Sequence, residues 1–154
     1  MGREIEHKFL VDTSLWRPDG PGVVLRQGYL STDKERVVRV RTAGPKAYLT
    51  IKGPGHISRA EFEYEIPFAD ASFMLDHLCL PGVIEKTRYR QPVGAHIWEI
   101  DVFHGENDGL VLAEVELRGD DEAFEHPDWA LREVSNDARY FNAALSQKPF
   151  KSWA

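Results

Sequence analysis

Glu4, Glu6 and Lys8 fall on one side of any extended segment, with Ile5 and Phe9 on the other. The same two-residue spacing returns with Arg39 and Arg41, with Lys52 beside Thr50 and Tyr48, and with Lys86, Arg88 and Arg90. It returns again with Glu99 and Asp101, and with Glu114 and Glu116. Arg59, Glu61, Glu63 and Glu65 form the longest row, opposite Ala60, Phe62, Tyr64 and Ile66. Like charges two positions apart on a strand face sit at roughly 7 Å and repel. A solvated strand face with cross-strand ion pairs accounts for any one of these rows. All of them together call for a counter-charge from elsewhere. For the carboxylate pairs a hard divalent cation such as Mg²⁺ or Mn²⁺, which takes oxygen ligands and shares them with phosphate, would supply it. For the Arg and Lys pairs phosphate would supply it, because a guanidinium fork matches two of its oxygens.

The elements that carry these rows are strands. Period-two alternation marks eight segments, near 3–10, 23–30, 35–42, 46–52, 58–66, 83–90, 96–103 and 110–118. Turn-forming stretches separate them, among them Arg17-Pro18-Asp19-Gly20-Pro21-Gly22, Ala43-Gly44-Pro45 and the run from His104 to Gly109. Two helices interrupt the pattern. The first is expected near 70–80, capped by Asp70, with Phe73, Met74, Leu78 and Cys79 as its buried stripe and Pro81-Gly82 as its stop. The second is expected near 136–146, capped by Asn136 or Asp137, with Tyr140, Phe141, Ala144 and Leu145 as its apolar face. A short helical piece is expected over 121–125. So many antiparallel strands must close on themselves or stack as two sheets. Alternation permits both, and the choice turns on whether the charged faces point into a lumen or out to water.

At 154 residues, with 42% hydrophobic and 29% charged residues, the chain suits one folded domain over 1–154. The net charge of −6 argues against a general binder of DNA or other nucleic acid. No apolar run is long enough to span a membrane and no secretory signal is visible, so a cytoplasmic address is expected. Cys79 is the only cysteine, which excludes an internal disulfide and a thiolate-built metal site, and it reads as a buried packing residue. Lys52-Gly53-Pro54-Gly55 lacks the Gly-Lys-Ser/Thr ending of a phosphate-binding loop and reads as a turn. The six histidines have no metalloprotease spacing, Ser135 has no nucleophile elbow, and Trp98 and Trp153 are read as packing residues.

Taken in order, these motifs resemble the triphosphate tunnel metalloenzymes, or CYTH domain proteins. Glu4-Ile5-Glu6-His7-Lys8 matches their N-terminal signature, followed by Arg39-Val40-Arg41, Leu49-Thr50-Ile51-Lys52, Arg59-Ala60-Glu61-Phe62-Glu63, Lys86-Thr87-Arg88-Tyr89, Asp101 and Glu114-Val115-Glu116. The stretch from Glu133 through Asn142 is similar to the family's C-terminal helix region. The resemblance implies a mainly β fold, a closed eight-stranded antiparallel barrel with a charged lumen and a few flanking helices. It implies Glu4, Glu6, Glu114 and Glu116 as ligands of Mg²⁺ or Mn²⁺. Lys8, Arg39, Arg41, Lys52, Lys86 and Arg88 would cradle phosphates. Glu61, Glu63 and Asp101 would hold a second metal, orient water, or fix the basic side chains through ion pairs, and Lys8 or Lys86 would assist the leaving oxygen.

The implied activity is divalent-metal-dependent hydrolysis of a triphosphate, with inorganic tripolyphosphate ranked first because the chain is similar to compact bacterial tripolyphosphatases. An adenylate cyclase of class IV type, or a nucleoside or thiamine triphosphatase, is the alternative in the same tunnel. A module that binds polyphosphate or a nucleotide without turnover is the rival of a different class; so many acids argue against it. The apolar outer faces exceed what two or three helices would cover, so a homodimer is expected.

Overall fold

The computed structural model of the chain describes residues 2–153. Eight antiparallel strands form the barrel: β1 (Arg3–Val11), β2 (Val23–Ser31), β3 (Val37–Ala43), β4 (Lys46–Lys52), β5 (Ser58–Ile66), β6 (Ile84–Val93), β7 (His96–Phe103) and β8 (Val111–Leu117). Their order around the sheet is β5-β4-β3-β2-β6-β7-β8-β1, and a further β5–β1 pairing closes it. The closing seam is short, with Arg3 opposite Ala60, Glu4 opposite Arg59 and Ile5 opposite Ser58.

A ninth strand, β9 (Ala130–Glu133), was not foreseen, and it pairs with the far half of β1 at Phe9 and Val11. β8 occupies one edge of β1 from Ile5 to Leu10, so β5 and β9 share the other edge. Between them the ladder is patched. The Glu6 amide donates to the Ile57 carbonyl at 2.9 Å, and the Lys8 amide donates to Ser135 Oγ at 2.9 Å. The Val134 amide donates to the Lys8 carbonyl at 2.8 Å. A buried backbone group left without a partner costs free energy, and these three bonds avoid that cost.

The charged parity points inward, which makes this a barrel with a polar lumen rather than a sandwich. The apolar parity points outward and is buried under segments that wrap the barrel. Phe9, Trp98, Ile100, Ala113 and Val115 pack beneath Trp16, Phe124, Trp129 and Ala130. Each of the larger side chains, such as Phe9 and Ile100, contributes roughly 1.5–3 kcal/mol by leaving water. Connecting segments, more than helices, do this covering.

One helix shields the β3–β4 face. α1 (Phe68–His77) packs Ala71 and Leu75 onto Val40 and Ala47. The expected stripe is therefore rotated: Phe73 and Leu78 are exposed, and Met74 and Cys79 are only partly buried. The small side chains at 40, 47 and 71 let the helix approach closely along Leu75, which carries the larger apolar groups at 73 and 78 outward. The helix begins after Pro67 with no side-chain cap, so Asp70 lies in its first turn instead of capping it. Burial pushes the Cys79 thiol upward, in keeping with a packing role.

At the C-terminal end, a 3₁₀ turn (Ala138–Tyr140) precedes a short helix, α2 (Asn142–Gln147), where one longer helix was expected. Asp137 caps the turn through the Arg139 amide. Residues 121–125 are a turn and irregular chain, not a helix. Among the described residues no helix is long and apolar enough to cross a membrane.

One end of the lumen is apolar. Tyr29, Val37, Ile84, Phe103 and Leu112 face inward there and pack with Val134, Tyr140 and Leu145 from the C-terminal segment. Gly82, at φ 98°, stands so close to this segment that a Cβ would collide with the Ser146 carbonyl. The C-terminal segment is thus seated against the barrel end.

Candidate active site

The lumen holds a cavity of about 840 Å³, lined by side chains from all eight barrel strands. Residues from every charged row meet there: Glu4, Glu6 and Lys8 from β1, Arg39 and Arg41 from β3, Lys52 from β4, and Glu61 and Glu63 from β5. Lys86 and Arg88 from β6 join Glu114 and Glu116 from β8. Asp101 stands behind the lining, buried against Lys86 and Arg88. All thirteen candidates from the sequence reading, Asp101 being the one behind the wall, therefore gather in one place. Register explains why: Glu6 lies opposite Glu116, Lys8 opposite Glu114, Arg88 opposite Asp101 and Lys52 opposite Glu61.

The site is graded along its axis. Lys86 and Asp101 are at most 1% exposed, whereas Glu63, Arg90 and Glu116 are exposed at the open mouth. The deep part is organised by Asp101. Arg88 grips its carboxylate with two parallel bonds, Nε to Oδ1 at 2.8 Å and Nη2 to Oδ2 at 2.9 Å, and Lys86 Nζ lies 2.7 Å from Oδ2. Burial alone would raise the Asp101 pKa, but Arg88 and then Lys86 outweigh it and hold it down at about 2. Lys86 moves the other way. Burial, with the Arg88 and Arg41 cations close by, outweighs Asp101 and pulls its ammonium down to about 7. The two shifts belong to one arrangement, in which Arg88 is the principal partner of Asp101 and Lys86 is the crowded third member.

Nearer the mouth the acids crowd. Glu4 binds Lys52 Nζ at 2.9 Å and lies 3.8 Å from Arg59 Nε, and Lys52 also reaches Glu61 at 3.4 Å. Burial would raise Glu4, but Lys52 outweighs it and lowers its pKa. Burial and the neighbouring Glu4 raise Glu61 to about 7. Glu114, 3.6 Å from Lys8 and 3.4 Å from Arg88, is held well below the usual carboxylate range because Lys8 overcomes its burial. Glu6 has only acids as its strongest neighbours, and burial with Glu114 pushes it well above that range. Burial with Glu4 and Glu99 also raises Glu116.

The donor set has the chemistry of a divalent-ion site. Every donor is a carboxylate oxygen, the chemistry a hard cation takes. Among the described residues Glu6 and Glu116 form no ion pair, and burial first and neighbouring acids second raise both. Among the described residues no three His, Cys, Asp or Glu side chains already form a coordination cluster, since Glu4 and Glu114 are held on lysines and arginines. The residue types fit a hard cation; the rotamers are those of an ion-paired lumen.

Several site residues were not among the candidates. Arg59 was placed on the right face of β5 but given no role, although its parity with Glu61 and Glu63 was the available signal. Tyr29 and Gln27 line up on the inner side of β2, where Gln27 Oε1 accepts from Arg41 Nε at 2.8 Å and its amide donates to Tyr29 at 3.0 Å. His56, Phe141 and Asn142 reach the cavity from outside the strands, where no periodicity points to them.

Comparison with known proteins agrees with this geometry. The CYTH domain family matches residues 2–147. An inorganic triphosphatase of Acetivibrio thermocellus is 47% identical over 154 residues, covering 99% of both chains. An inorganic triphosphatase of Nitrosomonas europaea is 41% identical over 150 residues, covering 93% of this chain and 96% of the other. A crystal structure of an inorganic triphosphatase superposes with a TM-score of 0.66 at 36% identity, covering 95% of each chain. A Bacillus halodurans protein proposed to be an adenylate cyclase superposes at 0.61 but is 17% identical, over 77% of this chain and 83% of the other, and so shares the fold alone. A charged lumen inside a closed eight-stranded barrel, built by motifs that match along nearly the whole length, places this chain in the CYTH domain family.

Proposed function

We propose that the chain hydrolyses inorganic tripolyphosphate to pyrophosphate and phosphate, with Mg²⁺ or Mn²⁺ as cofactor. The observation that carries this reading is the convergence of cations and carboxylates from eight strands in one cavity of about 840 Å³. The two inorganic triphosphatases similar to this chain along its length support the choice of substrate. The adenylate cyclase reading has only distant fold relatives behind it.

Arg39, Arg41, Lys52, Arg88, Lys8 and Lys86 neutralise the phosphate chain and align it. Arg39 Nε is buried with no protein partner among the described residues, so a phosphate oxygen is its natural acceptor. Glu4, Glu6, Glu114 and Glu116 would hold the divalent ion, which when bound supplies charge neutralisation at the phosphate oxygens. Water attacks the terminal phosphorus, the bridging P–O bond breaks, and the proton lost by water passes to a carboxylate. Glu61, at about 7, has the proton affinity for that task, and Glu63 stands beside it toward the mouth. Asp101, held at about 2 and gripped by Arg88, acts through position: it fixes Arg88 and Lys86. Lys86, close to neutrality in affinity and deep in the wall, is placed to donate a proton to the leaving pyrophosphate oxygen, with Lys8 as the second cation on that side.

The test is direct. Purified protein is incubated with Mg²⁺ or Mn²⁺ and tripolyphosphate, ATP or thiamine triphosphate, and phosphate, pyrophosphate and cyclic AMP are measured. Release of phosphate and pyrophosphate from tripolyphosphate is the expected result. Cyclic AMP from ATP would make the cyclase reading correct, and binding without turnover of any triphosphate would leave a binding module. A homodimer is proposed as well, on the exposed apolar side chains of β4, β5 and α1, among them Ile51, Phe62, Tyr64 and Phe73. Light scattering that gives a monomer mass at working concentration would overturn it.

A further inference from the structure

Three consecutive residues outside the strands touch three of the cavity's cations. The Tyr140 carbonyl accepts from Lys8 Nζ at 3.3 Å. The Phe141 ring has Lys8 Nζ 5.4 Å and the Arg59 guanidinium 5.5 Å from its centroid. Asn142 Oδ1 accepts from Lys86 Nζ at 2.9 Å. The last of these contacts is the most consequential, because Lys86 is completely buried and Asn142 accepts its one side-chain hydrogen bond among the described residues, beside the Asp101 carboxylate and the Phe103 ring.

We propose that Asn142 is a positioning residue for triphosphate hydrolysis: with Asp101 it holds the Lys86 ammonium from two sides and so fixes its place in the cavity wall against the phosphate chain. The role rests on the triphosphatase reading given above. An ammonium has three N–H donors and no acceptor. Asp101 Oδ2 holds it as an ion pair at 2.7 Å, and Asn142 Oδ1 takes one N–H at 2.9 Å. One anchor leaves the group free to rotate about its Cε–Nζ bond, whereas two fix it. Lys86 lines the cavity, and the Phe103 ring, its centroid 5.3 Å from Nζ, is the ammonium's further neighbour.

The residue type also matters. A carboxylate at 142 would add a second negative charge beside Lys86 and compete with phosphate for it, whereas a carboxamide oxygen orients the ammonium without cancelling its charge. The backbone of Asn142 is itself held in place. Leu145, one turn on, is buried in the apolar end of the barrel, and Ser146 lies against Gly82. The C-terminal segment therefore sets the direction of a donor that β6 alone delivers only to the right depth.

The experiment compares Asn142→Leu, which keeps the size but removes the acceptor, with Asn142→Asp, which keeps the acceptor. Tripolyphosphate turnover is measured with saturating Mg²⁺, and the Lys86 ammonium is followed by ¹⁵N–¹H NMR at pH 6 in the protein without substrate. For Asn142→Leu, kcat falls roughly 10- to 100-fold with KM changed less than about threefold, and the exchange-protected Lys86 signal is lost. Asn142→Asp restores the signal but recovers only part of kcat, and its KM rises, because the added charge competes with phosphate for Lys86. Thermal melting confirms that each variant is folded, and Asn142→Ala replaces the leucine variant should that one fail to fold. Parental kcat in Asn142→Leu, or an unchanged Lys86 signal, overturns the role while leaving the triphosphatase reading intact. A parent protein inert toward tripolyphosphate overturns both.

Discussion

Lys86 Nζ and Asp101 Oδ2 lie 2.7 Å apart with both side chains buried, yet Arg88 holds the same carboxylate through two bonds. Asp101 is thus shared by two cations in a water-poor wall. Replacing it by Asn removes the negative charge from beneath both. Breaking a buried pair in this way destabilises by about 3–5 kcal/mol. Urea unfolding of Asp101→Asn measures it, and a loss below 1 kcal/mol would show that the pair is solvated in solution.

Lys86 also makes stability depend on pH. Its folded pKa, about 7, lies below its unfolded value near 10.5. Between those values the unfolded chain binds the proton that the folded chain has released, so raising the pH stabilises the fold. Below about 7 the charge is buried in full and the cost is greatest. Lys86→Met should therefore gain most relative to the parent at pH 6 and progressively less toward pH 10. Unfolding curves at four or five pH values decide the matter, and a difference that does not vary with pH sinks it.

Glu61 gives the opposite slope. Its folded pKa, about 7, is raised above the ordinary glutamate value of 4.5, so the folded state holds a proton that the unfolded state has lost between those two pH values. Its contribution to stability weakens as pH rises through that window. Glu61→Gln should be equal to the parent near pH 4 and more stable above pH 7. If Glu61 accepts the proton from water, the same variant loses turnover by roughly 10²-fold or more, and a parental rate in Glu61→Gln moves that role to another carboxylate.

For the divalent ion, Glu6→Ala and Glu116→Ala are expected to abolish Mg²⁺- or Mn²⁺-dependent turnover. Isothermal titration with Mn²⁺ should show weakened binding in both. Turnover surviving both changes would reassign the ligands.

Arg39 has a buried Nε without a protein partner among the described residues and one bond from Nη2 to Thr50 at 3.2 Å. Losing a charge-assisted bond to phosphate costs about 1.5–3 kcal/mol, or roughly 10- to 100-fold in affinity. Arg39→Ala should raise KM by about that factor with a smaller change in kcat. A change confined to kcat would place Arg39 at the reacting phosphorus instead.

Strict alternation made the eight barrel strands legible, because each row must hide apolar side chains outward and gather charge inward. The charges themselves told barrel from sandwich only through family resemblance, since alternation is the same in both. What escaped was irregular chain. β9, Ala-Leu-Arg-Glu, has no alternation and helix-favouring residues, and it exists because β1 has half an edge to fill. The buried face of α1 was misjudged at Phe73 and Leu78 because size in the sequence does not reveal how closely a helix can approach small residues on a sheet. Asn142 and Phe141 were invisible as site residues since neither lies on a strand.

The patched edge of β1 has a consequence for how the molecule comes into being. Its first strand takes partners from β5, β8 and β9, and the last of these together with Ser135 lies more than 120 positions downstream, as the separation of 127 between Lys8 and Ser135 records. Such distant pairings close large loops and form late. A chain leaving the ribosome therefore carries Glu4, Glu6 and Lys8 on an unfinished ribbon at least until Glu114 and Glu116 have been synthesised. The ring of eight strands can close only after β8 has been made, and the remaining half of the β1 edge is filled later still, by residues up to Ser135.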